Sequence, residues 1–292
     1  MQIVYHLGVH FTDEERLLKC LLKNKGALAN EGTAVPGPSR YRKLLRQTLF
    51  GLRGGPATRD QQQEILEAAL EGEYAERIIF SAPNLLGNPG AMLRDGALYE
   101  RAGERVASLC SIFPDAQNEF FIGLRNPATL LPVVPGSVEA PADFMQVLST
   151  TDPRGLRWSD MVARIRGENP DVPLTIWCNE DTPLIWPQVL RELAAHDPLL
   201  ALEGTNDFLA SIMSREGMER MLVYMSTHPP ATEVQRRRIV AAFLDKFAIP
   251  DEIEVELDLP GWDDALVDEL TELYDEDVYQ IEKMAGVNFI AP

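Results

Sequence analysis

Little in this chain is suited to redox or metal chemistry. Its 292 residues include three cysteines and four histidines. Cys20, Cys110 and Cys178 lie far apart, form no CxxC pair and sit in apolar runs, which points to buried thiols in a reducing cytoplasm. No spacing of His, Cys and Asp matches a metal site, and HExxH is absent. A Gly-x-Ser-x-Gly elbow and a Gly-x-x-x-x-Gly-Lys phosphate loop are missing too, which argues against serine hydrolases and common nucleotide kinases. No apolar run approaches the roughly 18 residues of a membrane helix. No basic lead precedes a long apolar stretch at the start, as a secretory signal would have. These absences predict a cytoplasmic protein with no membrane partner and no bound metal.

Charge of one sign is scarce in two places. Residues 32–59 contain no acid but carry Arg40, Arg42, Lys43, Arg46, Arg53 and Arg59. Residues 251–292 contain one base, Lys283, against 14 acids, so most of the net charge of −18 belongs to a C-terminal lobe. A general nucleic-acid binder is excluded, because phosphate affinity needs a broad basic face. The plain reading of the acids is a solvated surface. The basic segment holds a short helical piece, Tyr41–Leu49, and Arg40, Arg42, Lys43 and Arg46 sharing that helix could hold a small anionic ligand; the alternative is a solvated amphipathic helix.

What is present is an alternation of strand and helix. Apolar runs at Ile3–Leu7, Arg77–Ser81, Phe120–Leu124 and 173–178 predict strands covered on both faces. Leu17, Leu18, Leu21, Leu22 and Leu28 recur at helical spacing, with Gly32 as the stop. Helices are predicted over 60–73, 99–112, 140–149 and 158–167, and for most of the chain after Trp186, with caps at Thr232 and Asp263. Segments 84–96 and 126–139 read as loops. The pattern predicts one α/β domain over residues 1–292: three layers, a parallel sheet flanked by helices, and a helical C-terminal part.

The first strand ends in Gly8 and runs into Val9-His10-Phe11-Thr12-Asp13-Glu14-Glu15. In a parallel sheet this loop is the usual phosphate cradle. Thr12 and Glu15 read as a capping box. Acids in a first helical turn stabilise the helix by about 0.3–1 kcal/mol each but oppose an incoming anion. His10 is placed to act as an acid or base. His6 lies in the strand and reads as a hydrogen-bonded core residue. Glu180 and Asp181 follow the fourth strand, where Asp181-Thr182-Pro183 reads as a helix start. Arg236, Arg237 and Arg238 follow a Thr232-x-x-Gln235 box and read as surface residues.

The opening 38 or so residues resemble the start of bacterial sulfotransferases, which read strand, His-Ile-Gly-x-His-Lys-Thr-Gly-Thr-Thr, a long helix with Leu-x-x-Asn-Arg, and Gly-x-x-x-Pro. His6, Gly8, His10, Thr12, Leu22, Asn24, Gly32 and Pro36 stand in register. The stretch FPDAQNEFFIGLRNPATLLP is similar to the strand carrying the family's Arg-x-Pro, and LYDEDVYQIEKMAGVNF is similar to the family's C-termini. The resemblance implies a P-loop NTPase-like sulfotransferase architecture. It also implies phosphoadenosine phosphosulfate (PAPS) as donor, bound by Gly8, Thr12 and Arg125. The loop departs from the pattern. Phe11 replaces the Lys that neutralises the phosphosulfate, and Asp13, Glu14 and Glu15 replace Gly-Thr-Thr. Pro83 stands at the family's candidate base, and Val133 where a Ser is expected. Losing one cation and gaining three acids should cost several kcal/mol of anion affinity. The expectation is a sulfotransferase-like protein with a diverged donor loop, His10 as its acid/base and Arg125 with Arg40, Arg42, Lys43 and Arg46 as anion contacts. The alternative is a non-catalytic interaction protein using the acidic C-terminal lobe.

Overall fold

A computed structural model describes residues 1–13, 15–52, 54–137, 140–253 and 259–292. Six strands form one parallel sheet: β1 (Gln2–His6), β2 (Thr33–Ala34), β3 (Arg77–Ser81), β6 (Gln117–Leu124), β7 (Leu174–Cys178) and β8 (Val287–Ile290), in the order β2-β3-β1-β6-β7-β8. A separate antiparallel hairpin joins β4 (Leu93–Arg94) to β5 (Ala97–Leu98). The alternation of side chains along the strands divides the core. Ile3, Tyr5, Ile78, Phe80, Phe120, Ile122 and Ile176 face one layer, whereas Val4, Ile79, Phe121 and Trp177 face the other.

Helices cover both faces. The first layer holds α3 (Pro38–Gly51), α4 (Arg59–Leu70), α5 (Ala102–Cys110), α8 (Trp158–Glu168) and α14 (Asp264–Glu282). The second holds α1 (Arg16–Lys23), α2 (Lys25–Asn30) and α9 (Thr182–Ala194). Short helices α6 (Pro127–Leu130) and α7 (Phe144–Ser149) fill connections, α10 (Asp207–Ile212), α11 (Arg215–Thr227) and α12 (Glu233–Phe247) lie outside α9 around their own apolar cluster, and the short α13 (Pro250–Ile253) follows α12. The protein is thus a doubly wound α/β structure with a parallel sheet between helical layers. None of the described helices is long and apolar enough to cross a membrane.

Several expectations are corrected. The single helix after the first loop is two, broken at Asn24. The buried Asn24 amide donates to the Cys20 and Glu203 carbonyls (both 2.8 Å) and accepts from the Glu203 amide (2.8 Å), so tertiary bonds replace helix continuity. The chain does not end in helix, because Val287–Ile290 adds an edge strand beside β7. The loop expected at 84–96 contains the hairpin, turned by Asp95 and Gly96 at positive φ (50° and 73°), an Asp-Gly turn. β2 is a two-residue edge in a stretch read as irregular.

Two buried charges fix the frame. Arg77, 5% exposed at the foot of β3, bonds Gln2 Oε1 (2.8 Å), Glu119 (2.8 Å) and the Leu193 carbonyl (3.0 Å), which ties β3, β1, β6 and α9 together. Asp277 of α14, 2% exposed, accepts the amides of Trp158 (2.6 Å) and Ser159 (3.1 Å) at the start of α8. No residue of α8's own lead-in supplies a side-chain cap, so the cap comes from another helix. Asp277→Ala leaves two buried donors without an acceptor and is expected to lower stability by about 1–3 kcal/mol in urea unfolding.

Candidate functional site

The sheet order places β1 between β3 and β6, so the chain leaves β1 towards one side and later returns to the other. Ligands bind beyond the carboxyl ends of strands at such a switch point. The ends of β1, β3 and β6 carry the loop of Gly8–Glu15, the turn at Ser81–Asn84, and Arg125–Asn126. Gly8 has φ 56°, and a Cβ there would lie 3.9 Å from Pro83 Cα, so conformation rather than space calls for glycine. Phe11 and Glu15 also have positive φ (61° and 62°) without being glycine, at a cost of about 1–2 kcal/mol each.

The predicted cap is corrected by this geometry. The extra turn delays α1 to Arg16, and Glu15 stands at its N-cap with no side-chain cap bond. Thr12 Oγ1 donates instead to the Val9 carbonyl (2.8 Å). Asp13 serves the helix: its carbonyl accepts from Arg16 N (2.8 Å) and its carboxylate from Leu17 N (2.9 Å). An amide that would greet an anion is therefore already bonded to the chain's own carboxylate. Glu14 lies outside the described residues.

Arg125 reaches from the end of β6 to the carbonyl of Phe11, and its Nε lies 3.3 Å from Thr129 Oγ1. His10, 4% exposed, is held by two side chains that sequence reasoning missed. Its Nδ1 lies 2.6 Å from the Tyr99 hydroxyl, and its Nε2 lies 2.8 Å from Asn84 Oδ1. Only the Asp-Gly turn before it could have hinted that Tyr99 folds back onto the first loop.

Below the loop, the end of β3 is a knot of hydrogen bonds. His6 Nδ1 lies 3.0 Å from Ser81 Oγ, and the Ser81 carbonyl accepts from Tyr41 Oη (2.6 Å) and Arg42 Nε (3.0 Å). His6 is the core histidine the sequence predicts. Burial, with Arg42 adding to it and Asp13 opposing it, keeps its imidazole below its ordinary pKa.

The four basic side chains of α3 do not act together. Arg40 pairs with Glu71 on a different side of the helix. Arg42, Lys43 and Arg46 line one pocket of about 350 Å³ with Pro38 and Ser39, at the N-terminus of α3. Arg42 spends Nε on Ser81 and Nη1 on the Glu15 carboxylate, while its buried Nη2 has no hydrogen-bond partner among the described residues. Arg53 is outside the described residues.

Neither a protein-family model nor a curated protein matches this chain. The reading of the site rests on its geometry. Among the described residues no group of His, Cys, Asp and Glu is placed to hold a metal ion. Pro83 is exposed beside Gly8 and carries no acid–base group.

The pair after β7 is divided between structure and strain. Glu180 accepts from Asn126 N (2.8 Å) and Tyr274 Oη (3.2 Å), which props the Arg125–Asn126 turn from below. Thr182 and Pro183 open α9 as predicted. Arg236 and Arg237 are not plain surface residues: they bond the Leu184 carbonyl and Gln188, and so tie α12 to α9. Asp181 is pushed up to about 6 by burial first and then by Glu180, Asp275 and Glu282, with Arg237 opposing. Its folded value exceeds its ordinary 3.8, so it costs stability above about pH 6 and the penalty fades as pH falls towards 3.8. Asp181→Asn is expected to raise the urea midpoint at pH 8 and to leave it unchanged near pH 4.

Proposed function

We propose that this protein binds a small phosphorylated or sulfated ligand at the mouth of its sheet, through Arg42, Lys43 and Arg46, in a sulfotransferase-like architecture that does not use PAPS in the ordinary way. The observation that carries this reading is the pocket at the start of α3. Three cations share it, the helix N-terminus adds its partial positive charge, and no acid occupies the first turn of α3. Lys43 and Arg46 stand on exposed positions beside Arg42, whose Nη2 is buried and has no hydrogen-bond partner among the described residues. The first loop supports the other half of the reading. There Asp13 takes the amide of Leu17, Arg125 bonds the Phe11 carbonyl, and no lysine replaces the one the resemblance calls for.

Group transfer has one observation in its favour: a buried imidazole, His10, lies in the first loop at the switch point of the sheet. In that version His10 moves the proton and the α3 cations hold the anion. The binding step is common to both versions and is tested first.

Thermal shift and calorimetry with pyrophosphate, simple phosphate monoesters, adenosine 3′,5′-bisphosphate and PAPS separate the possibilities. Phosphorylated ligands are expected to raise Tm. Lys43→Glu with Arg46→Glu, both on exposed positions, is expected to weaken binding by about tenfold or more without changing the unliganded Tm. PAPS is expected to bind no more tightly than pyrophosphate. Tight PAPS binding that survives the double charge reversal would overturn the proposal.

A further inference from the structure

Tyr99 is not a residue that the chemistry of the first loop obviously needs, yet it is held in an expensive conformation to reach that loop. It follows the Asp95-Gly96 hairpin, has φ 42° without being glycine, and is 1% exposed. Such a backbone persists only where its surroundings over-determine it. Here its amide donates to the Met92 carbonyl (2.9 Å). Its ring lies between His10 (5.9 Å between centroids, planes 2° apart) and Trp158 (6.1 Å). Trp158 Nε1 in turn donates to the Arg125 carbonyl (2.9 Å), so one stacked line joins His10 to the Arg125 turn.

The hydroxyl at the end of this line makes two bonds to one residue. It accepts from the His10 amide (3.1 Å), and it lies 2.6 Å from His10 Nδ1. A phenol has one hydrogen to give. With its oxygen already accepting the amide, that hydrogen goes to Nδ1, which must then be unprotonated. The opposite tautomer would aim two N–H groups at the oxygen and leave the phenolic hydrogen to find a third partner inside the core. Burial holds the Tyr99 pKa above its ordinary value, so the phenol keeps the hydrogen it donates. The proton of the neutral ring therefore sits on Nε2, which points at Asn84 Oδ1 (2.8 Å). Asn84 is an exposed residue of the turn that follows β3.

We propose that Tyr99 is a positioning residue that fixes His10 as its Nε2–H tautomer, so that the imidazole offers the cleft a hydrogen-bond donor for an oxyanion oxygen. Asn84 Oδ1 occupies the acceptor position, and the exposed amide gives way when a phosphate, sulfate or carboxylate oxygen takes it. The donor stands one residue before Phe11, where the family's lysine is missing. For its ligand the inference rests on the anion-binding reading above; for the tautomer it does not.

The two parts are measured separately on the full chain labelled with 15N. Two-bond correlations of the imidazole in the free protein at pH 8 are expected to show a protonated Nε2 and an unprotonated Nδ1 for His10. Tyr99→Phe keeps the ring stack but removes the hydrogen given to Nδ1. It is expected to shift His10 towards the other tautomer and to raise its titration midpoint, because a bond that favours the neutral ring is lost. A purely structural Tyr99 would move neither. A protonated Nδ1 in the unaltered protein, or an unchanged tautomer and midpoint in Tyr99→Phe, would overturn the positioning role. Pyrophosphate is expected to move the Nε2 signals. A fixed tautomer with unmoved signals would overturn the ligand half alone, while loss of pyrophosphate binding at the α3 cations would instead overturn the proposed function.

Discussion

Arg77 is the buried charge on which the register of the sheet depends. A guanidinium at 5% exposure is tolerable only if its donors are met, and here they are met by groups on β1, β6 and α9. Because those partners lie towards the feet of two neighbouring strands and at the end of one helix, the arginine is satisfied in one register only. A shift of one residue would turn every side chain to the opposite face and separate the two apolar layers from their helices. The same register that pairs Gln2 with Arg77 and Gln117 pairs His6 with Ser81 and Phe121 at the other end. The mouth of the sheet is therefore set from its foot.

At that mouth the chain answers most of its own charges. Asp13 serves α1, Glu15 pairs with Arg42, and the Phe11 carbonyl accepts from Arg125. Each contact replaces something an anion would have offered. The contrast lies in α3, where Lys43 and Arg46 stand on exposed positions beside Arg42. The first loop carries no Lys or Arg; the cations lie one helix away, in a segment without a single acid between residues 32 and 59. Arg40 shows that sequence proximity is not enough, since its position on the helix turns it to Glu71 instead.

The parts of the fold that were legible are those where burial alone decides. β1, β3, β6 and β7 each contain a continuous apolar run, the pattern of a strand covered on both faces. The edge strands were not legible, because β8 is only half covered and β2 is two residues long, so neither carries a periodic signal. The cap was misplaced for a related reason. Thr12 and Asp13 both suit a helix start, and an added turn at Phe11, in a conformation phenylalanine does not favour, decides which is used. His10, Arg125 and the α3 cations were visible as residue types. Tyr99 and Asn84, which hold His10, were not, since their role exists only once segments 89 and 74 residues away fold onto the loop.

The acidic C-terminal segment illustrates why net charge and function are different questions. Its exposed acids are the solvated surface the composition suggests, but part of α14 points inward and does structural work. Asp277 caps α8, and Tyr274 bonds Glu180, which holds Asn126 N. Thr271 accepts from the Asn126 side chain (2.9 Å), and Trp262, just before α14, donates to the Ala128 carbonyl (2.9 Å). The turn that carries Arg125 is thus built on the C-terminal helix as much as on β6. The inner face of one helix supports the site while its outer face meets solvent.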